Sequence, residues 1–307
     1  LVYTPFLIYD ESGLDLRLFF HRFFSSGNLF LMPRLIIESG HAERQYWQDL
    51  WRYRELFYVL AWRDISVRYK QTVIGVLWAV IQPILITVIF TVVFSKIANM
   101  KSEGVPYPLW VFAAMLPWQF FAASLAAASQ SLVMNSNLIS KVYFPRMIVP
   151  AGAVVTSMVD FLITFGIFLL MAAWYHVWPT WRFIAVPFLM LLAFVSALGP
   201  GLLITALNVK YRDFRYIIPF IIQIGIYVSP VPYSSSVVEQ KLPIWMTWLY
   251  SLNPMVGVID GFRWALLDGK GGISLLSFTQ SLSVTVFLAI LGLWYFRKTE
   301  RTFADII

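Results

Sequence analysis

Few ionisable side chains in this sequence could do chemistry, and they are scattered. Within its long apolar runs the only clear one is Asp160. An acid in such surroundings serves either a proton relay or a polar contact with a neighbouring helix. A proton-coupled pump uses more than one, which favours the anchor. Asp260 and Arg263 stand three apart, a spacing that pairs on one helix face. Outside the apolar runs, Glu103, Glu239, Asp260 and Asp268 form no recognisable metal motif. A membrane-embedded sugar transferase, which needs acids on an aqueous face, therefore finds little support. His21, His41 and His176 lie far apart, and there is no cysteine for a disulfide, a thiolate site or a nucleophile. No G-x-x-x-x-G-K-[ST], G-x-S-x-G, H-E-x-x-H or kinase signature occurs. The pattern is that of a conduit whose energy source lies elsewhere.

Two short basic segments carry a different kind of chemistry. One is NSNLISKVYFPRMIVP, 135–150, with Lys141 and Arg146 flanking Val142, Tyr143, Phe144 and Pro145. The other is NVKYRDFRYIIPF, 208–220, with Lys210, Arg212, Asp213 and Arg215 among Tyr211, Phe214 and Tyr216. Cations and interfacial aromatics at the ends of membrane helices explain most of this. An apolar patch rimmed by cations on a loop facing water also reads as a docking surface for another protein, and both readings stay open on physics alone.

The elements that hold these residues follow from composition. The chain has 307 residues, of which 59% are hydrophobic and 13% charged, with a mean hydropathy of +0.72. Soluble domains carry about 25% charged residues, so this is the composition of an integral membrane protein. Apolar runs long enough to span about 30 Å of hydrocarbon cover roughly 73–94, 109–133, 148–173, 183–207 and 279–296. A shorter, broken one covers about 216–233, giving six expected spans. Pro83 is expected to bend the first, and Gln82 beside it to face protein or a channel. Segments 63–70, 134–146, 209–215 and 297–307 hold eleven Lys and Arg, against six in 95–107, 174–182 and 233–278. The positive-inside rule then places both termini in the cytoplasm. The net charge of +7 is thus topological, and no nucleic-acid partner is expected.

Residues 47–65 form an amphipathic pattern, with Trp47, Trp51, Tyr58, Ala61, Trp62 and Ile65 on one side, Leu50 and Phe57 beside them, and Gln48, Arg52, Glu55 and Arg63 opposite. Such a helix lies in the membrane interface, placing Arg63, Arg68 and Lys70 near anionic headgroups. Residues 1–31 are aromatic and ragged, and Met32 opens a stretch that reads as a normal start, so 1–31 are expected to be an upstream extension. In 233–278, the apolar pieces 242–252 and 254–267 are each too short to span, and Asn253-Pro254 separates them. Two short helices dipping into the outer leaflet are expected. Gly257 and Gly261 form a small-xxx-small pair that hints at close packing.

The runs VRYKQTVIGVLWAVIQP, KVYFPRMIVP, YRDFRYIIPFIIQ followed by SPVPY, and LNPMVGVIDGFRWALL resemble the permease subunit of polysaccharide ABC exporters. These are type-2 ABC exporters for O-antigen, capsular polysaccharide or teichoic acid. The resemblance covers roughly 45–307. It implies an all-α polytopic fold: an N-terminal extension over 1–46, partly disordered; an amphipathic interface helix over 47–70; and a six-helix permease domain over 71–307, with two re-entrant helices before the last span. It implies a homodimer in the cytoplasmic membrane, each copy bound to a separate ATPase. No cofactor is then held by this chain, and ATP-Mg sits on the partner. The substrate would be a long glycan, often lipid-linked. Coupling to the ATPase would fall to Lys141, Tyr143, Phe144 and Arg146, and to Tyr211, Arg212 and Asp213. Candidate channel-lining aromatics are Trp78, Trp118, Phe120 and Tyr227. A type-2 exporter for a drug or small lipid shares the architecture, and only the motifs argue against it.

Overall fold

A computed structural model describes residues 42–70, 73–100 and 102–303. Most of the expected extension, residues 1–41, lies outside the described residues. The compact unit that holds the bundle begins at Tyr46, within the first described helix.

Every regular element among the described residues is helical. Two helices, α1 (Ala42–Arg52) and α2 (Arg54–Lys70), come first. The first long apolar helix, α3 (Val73–Phe90), runs on into a wider π-helical turn over Thr91–Ile97. Then come α4 (Tyr107–Met134), the short α5 (Ser136–Lys141), α6 (Ile148–Trp174) and a 3-10 turn (Trp181–Ala185) leading into α7 (Val186–Lys210). The chain closes with α8 (Phe214–Val228), α9 (Ser235–Lys241), α10 (Ile244–Ser251), α11 (Pro254–Leu266) and α12 (Leu275–Thr299). Among the described residues, five segments are long and apolar enough to cross a membrane: Val80–Ile97, Tyr107–Met134, Ile148–Trp174, Trp181–Lys210 and Leu275–Thr302. The chain is an all-α, multi-pass membrane protein. The segment expected at 216–233 forms α8, whose 15 residues reach about 22 Å, short of a bilayer's hydrocarbon.

Helix α4 is the axis of the bundle. Leu109 to Leu116 are all 1% exposed or less, a helix apolar all round and enclosed by protein. It packs against α6, α7, α11, α3 and α8. Where α7 meets α12, Gly199 and Gly292 bring the two backbones into contact. Exposed Trp174, Trp178 and Trp181 gather at one end of the bundle, as aromatics do at a membrane interface.

The amphipathic segment is longer than expected at its N-terminal side, and two stripes run along it. It starts at Ala42 and is interrupted at Tyr53, although bonds from Tyr53 N–H to Asp49 and from Phe57 N–H to Tyr53 carry the chain through. Tyr46, Leu50, Tyr53, Phe57 and Leu60 lie on the protein, spaced four, three, four and three apart, whereas Trp47, Trp51, Tyr58 and Trp62 point outward. The segment has an inner aliphatic-aromatic stripe against the protein and an outer tryptophan stripe away from it.

Candidate functional site

A cavity of about 750 Å³ opens between α3, α4, α6 and α8. Trp78, Trp118, Phe120 and Tyr227 all line it, but they present themselves differently. Trp78 and Tyr227 are 57% and 55% exposed, whereas Trp118 and Phe120 are 5% and 2%. Phe120 is held edge-on to Phe161. The Trp118 ring lies over Gly225 of α8, where a β-carbon would stand 2.5 Å from its Cη2. Glycine there is what lets the indole lie flat in the wall, a partnership with no local sequence signal.

Polar groups in the wall are sparse. Gln82, Gln119 and Gln223 supply neutral amides from three helices, each able to donate and accept. Pro83 lies inside α3 and is buried in the same wall. Charge enters at one place. Arg68 Nη1 stands 2.8 Å from Asp160 Oδ2, the Tyr69 hydroxyl donates to Asp160 Oδ1, and both Arg68 and Asp160 line the cavity. Asp160 is thus bonded to a neighbouring helix. Arg68, at the end of α2, reaches the acid of α6, because a carboxylate in an apolar span needs a counter-charge.

The two basic segments are unlike each other. In the first, Val142 and Tyr143 are 49% and 71% exposed, but Phe144 is 4% exposed and Pro145 is buried. The expected patch of Val142, Tyr143, Phe144 and Pro145 is therefore split. Phe144 joins Leu60, Met147, Phe296 and Phe303 in a second core, which removes a large ring from water. Arg146 is engaged as well: its backbone N–H donates to Glu300 Oε1 at 2.6 Å, and its guanidinium donates to the Glu300 carbonyl. Lys141 and Tyr143 remain outward-facing. In the second segment Tyr211, Arg212 and Asp213 are all exposed, with the Lys210 ammonium over the Tyr211 ring at 5.1 Å. The same core takes in Tyr46, whose ring carries the Arg297 guanidinium at 4.4 Å. Burial, and after it the Glu300 charge, pushes the Tyr46 hydroxyl far above its ordinary range, so it stays neutral.

At the opposite end of the bundle, the expected Asp260 and Arg263 pair exists, 3.9 Å apart and buried. It belongs to a larger centre. Arg263 lies over the Trp110 ring at 4.3 Å and donates to the carbonyls of Tyr233 at 2.9 Å and Val231 at 2.8 Å. Ser235 donates to Asp260 at 2.5 Å. Asn253 caps α11 by accepting from Met255 N–H, and Ser281 of α12 both accepts from Gly257 N–H and donates to the Pro254 carbonyl. Gly257 faces Ser281, while Gly261 faces Leu189 of α7. The small pair thus serves two different helices. Among the described residues, no three His, Asp or Glu come together as a metal-binding group.

Residues 55–267 match the family model described as ABC-2 type transporter. The chain is 24% identical over 264 residues to the O-antigen export system permease protein RfbA of Myxococcus xanthus, covering 85% of this chain and 98% of that protein. It is 27% identical over 255 residues to the protein of the same name from Klebsiella pneumoniae, with 82% and 95% covered. With the polysialic acid transport protein KpsM of Escherichia coli it shares 20% identity over 248 residues, 78% and 91% covered.

Proposed function

Because this chain belongs to the ABC-2 type transporter family, we propose that it is the membrane-spanning permease of an ATP-driven exporter for a lipid-linked polysaccharide of the O-antigen, capsular or teichoic-acid type. The observation that carries this is the alignment with two kinds of polysaccharide-export protein over 91% to 98% of their own lengths. ATP hydrolysis belongs to a separate subunit, and this chain acts as one half of a homodimer in the cytoplasmic membrane with both termini inside. Helices α10 and α11 enter the outer leaflet and return, and α8 completes a sixth, shortened crossing.

The cavity chemistry suits a sugar polymer. Pyranose rings offer apolar C–H faces to Trp78 and Tyr227, while the three glutamine amides meet hydroxyls. Neither contact is strong, and the wall holds only one ion pair among the described residues. A substrate that must move on needs binding that is weak and repeated along the path. Tyr143, Lys141 and the exposed Tyr211, Arg212 and Asp213 form the face on which the ATPase pushes. Phe144 and Arg146 act beneath that face, carrying its movement to the end of α12.

The test is export itself. In a strain lacking this gene, lipid-linked polymer should accumulate inside the cell, and the plasmid-borne gene should clear it. Normal surface glycan without the gene would reject the reading.

A further inference from the structure

A groove of about 340 Å³ lies on the flank of α3 turned away from the cavity. Val88, Val92 and Lys96, four apart along α3 and its π-helical turn, form one wall together with Thr87. Phe112 of α4 and Met171 of α6 face them. On this flank α3 is thinly held: within Val80–Ile97 only Pro83, Thr87 and Phe90 are buried. Two polar groups of the groove lack partners. Lys96 is exposed near the end of the span and makes no ion pair, hydrogen bond or ring contact among the described residues. The Thr87 side chain is 3% exposed, and its hydroxyl has no partner among the described residues. A helical threonine ordinarily bonds back to the carbonyl four residues earlier, as Thr91 does to the Thr87 carbonyl at 2.7 Å. Thr87 does not, and a buried hydroxyl without an acceptor is costly.

An occupant must be slender and apolar along most of its length, anionic at the Lys96 end, and able to offer an acceptor to Thr87. Nine residues separate those two groups, at most about 13 Å along the helix axis. A helix from a second copy of this chain is about 10 Å wide, and its backbone carbonyls are already paired inside a membrane. A glycerophospholipid meets all three conditions: it has an acyl chain, a phosphate, and ester carbonyls one glycerol unit below that phosphate. We propose that the groove binds an anionic phospholipid of the surrounding bilayer. Lys96 holds the phosphate, an ester carbonyl accepts from the Thr87 hydroxyl, and an acyl chain lies against Phe112 and Met171. A zwitterionic lipid fits less well, because its own ammonium competes with Lys96 for the phosphate. The bound lipid fills the gap between α3, α4 and α6 and supports α3 from the side opposite the cavity. It is a fixed part of the wall and not the exported cargo.

The chain contains no cysteine, so a fluorophore can be placed at Val93→Cys, exposed beside the groove wall, or at Val286→Cys, exposed on α12. The full chain is reconstituted in phosphatidylcholine vesicles with a small fraction of nitroxide-labelled phosphatidylglycerol or nitroxide-labelled phosphatidylcholine as quencher. At Val93→Cys the phosphatidylglycerol should bind about fivefold better than the phosphatidylcholine, the attraction of one basic residue for an anionic lipid. At Val286→Cys the two should quench alike. Lys96→Gln should bring the two lipids level at the groove, and Lys96→Arg should keep them apart. Thr87→Val, of nearly the same shape, should weaken both about threefold, since both carry esters. Unlabelled polyprenyl diphosphate should displace neither. Equal quenching by the two lipids at Val93→Cys, a preference that survives Lys96→Gln, or an unaffected Thr87→Val would each overturn the site. Displacement by polyprenyl diphosphate would put the groove on the export path and overturn it too. A dimer population that falls with Lys96→Gln would give the groove to a second copy, with the same result. The export assay is independent: if the gene is needed for surface glycan and these results fail, the lipid site falls and the export reading stands.

Discussion

Gly199 on α7 and Gly292 on α12 meet backbone to backbone: a β-carbon at Gly292 would overlap the Gly199 carbonyl oxygen, and one at Gly199 would stand 2.6 Å from the Cα of Ala289. Two long apolar helices gain close van der Waals contact in this way, which is the chief attraction available to them in lipid.

Gly292→Val should therefore separate the helices. Because the obstruction is backbone, no side chain can swing aside, and the cost is expected at about 1–3 kcal/mol or more. A lower unfolding temperature of the purified protein in detergent checks this. Gly166→Ala is the control: a β-carbon there meets nothing within 4 Å, and its temperature should not fall.

Arg263 is fully buried between Trp110, Asp260 and two carbonyls. Arg263→Met leaves Asp260 without its cation and the Val231 and Tyr233 carbonyls without their donors. Breaking such a pair from one side costs about 3–5 kcal/mol. The double change Arg263→Met with Asp260→Leu should recover part of the loss. Chemical or thermal unfolding of the single and double variants supplies the comparison, and equal stability of the two would refute the pairing.

Neighbouring residues 143 and 144 should separate docking from folding. Tyr143→Asp alters an exposed ring, so the unfolding temperature should hold while co-purification of the ATP-binding subunit and export both drop. Phe144→Asp places a charge in the second core and should prevent accumulation of folded protein. Arg212→Glu should behave like Tyr143→Asp. Were Tyr143→Asp to retain full co-purification, the docking role of this loop would be lost.

In the cavity, Trp78→Ala removes an exposed stacking surface and should lower export several-fold at unchanged assembly. Gly225→Leu should do so by a different route, driving the Trp118 ring out of the wall into the passage. Surface glycan per molecule of assembled complex is the measurement. Full export by Gly225→Leu would argue that the path runs elsewhere.

Length and charge make the architecture legible. Uncharged runs mark the spans to within a few residues, and Asn253-Pro254 marks the start of α11. Asp260 and Arg263 are legible as a pair because helix spacing is local. What stays hidden depends on residues distant in sequence. Phe144 reads as a surface ring because nothing nearby says that Phe296 and Phe303 will cover it. Gly225 and Trp118, or Gly199 and Gly292, carry no local signature of their meeting. In the interface segment the tryptophans dominate the amphipathic pattern and hide the inner stripe through Leu50 and Leu60. Apolar and aromatic residues occupy both stripes there, so a two-sided polar-apolar division cannot separate protein from lipid.

The grip of Glu300 on Arg146 turns α12 into a pushrod. One end is fixed beneath the exposed Tyr143, through Arg146 and the ring contact of Phe296 with Phe303. Its other end holds Ser251 through Ser277 and the start of α11 through Ser281. The helix runs for 25 residues without a break, about 37 Å end to end, and close-packed interiors transmit displacement instead of absorbing it. A load applied at the loop therefore has a mechanical address at the far end of the bundle, on the helices that flank the Asp260 centre.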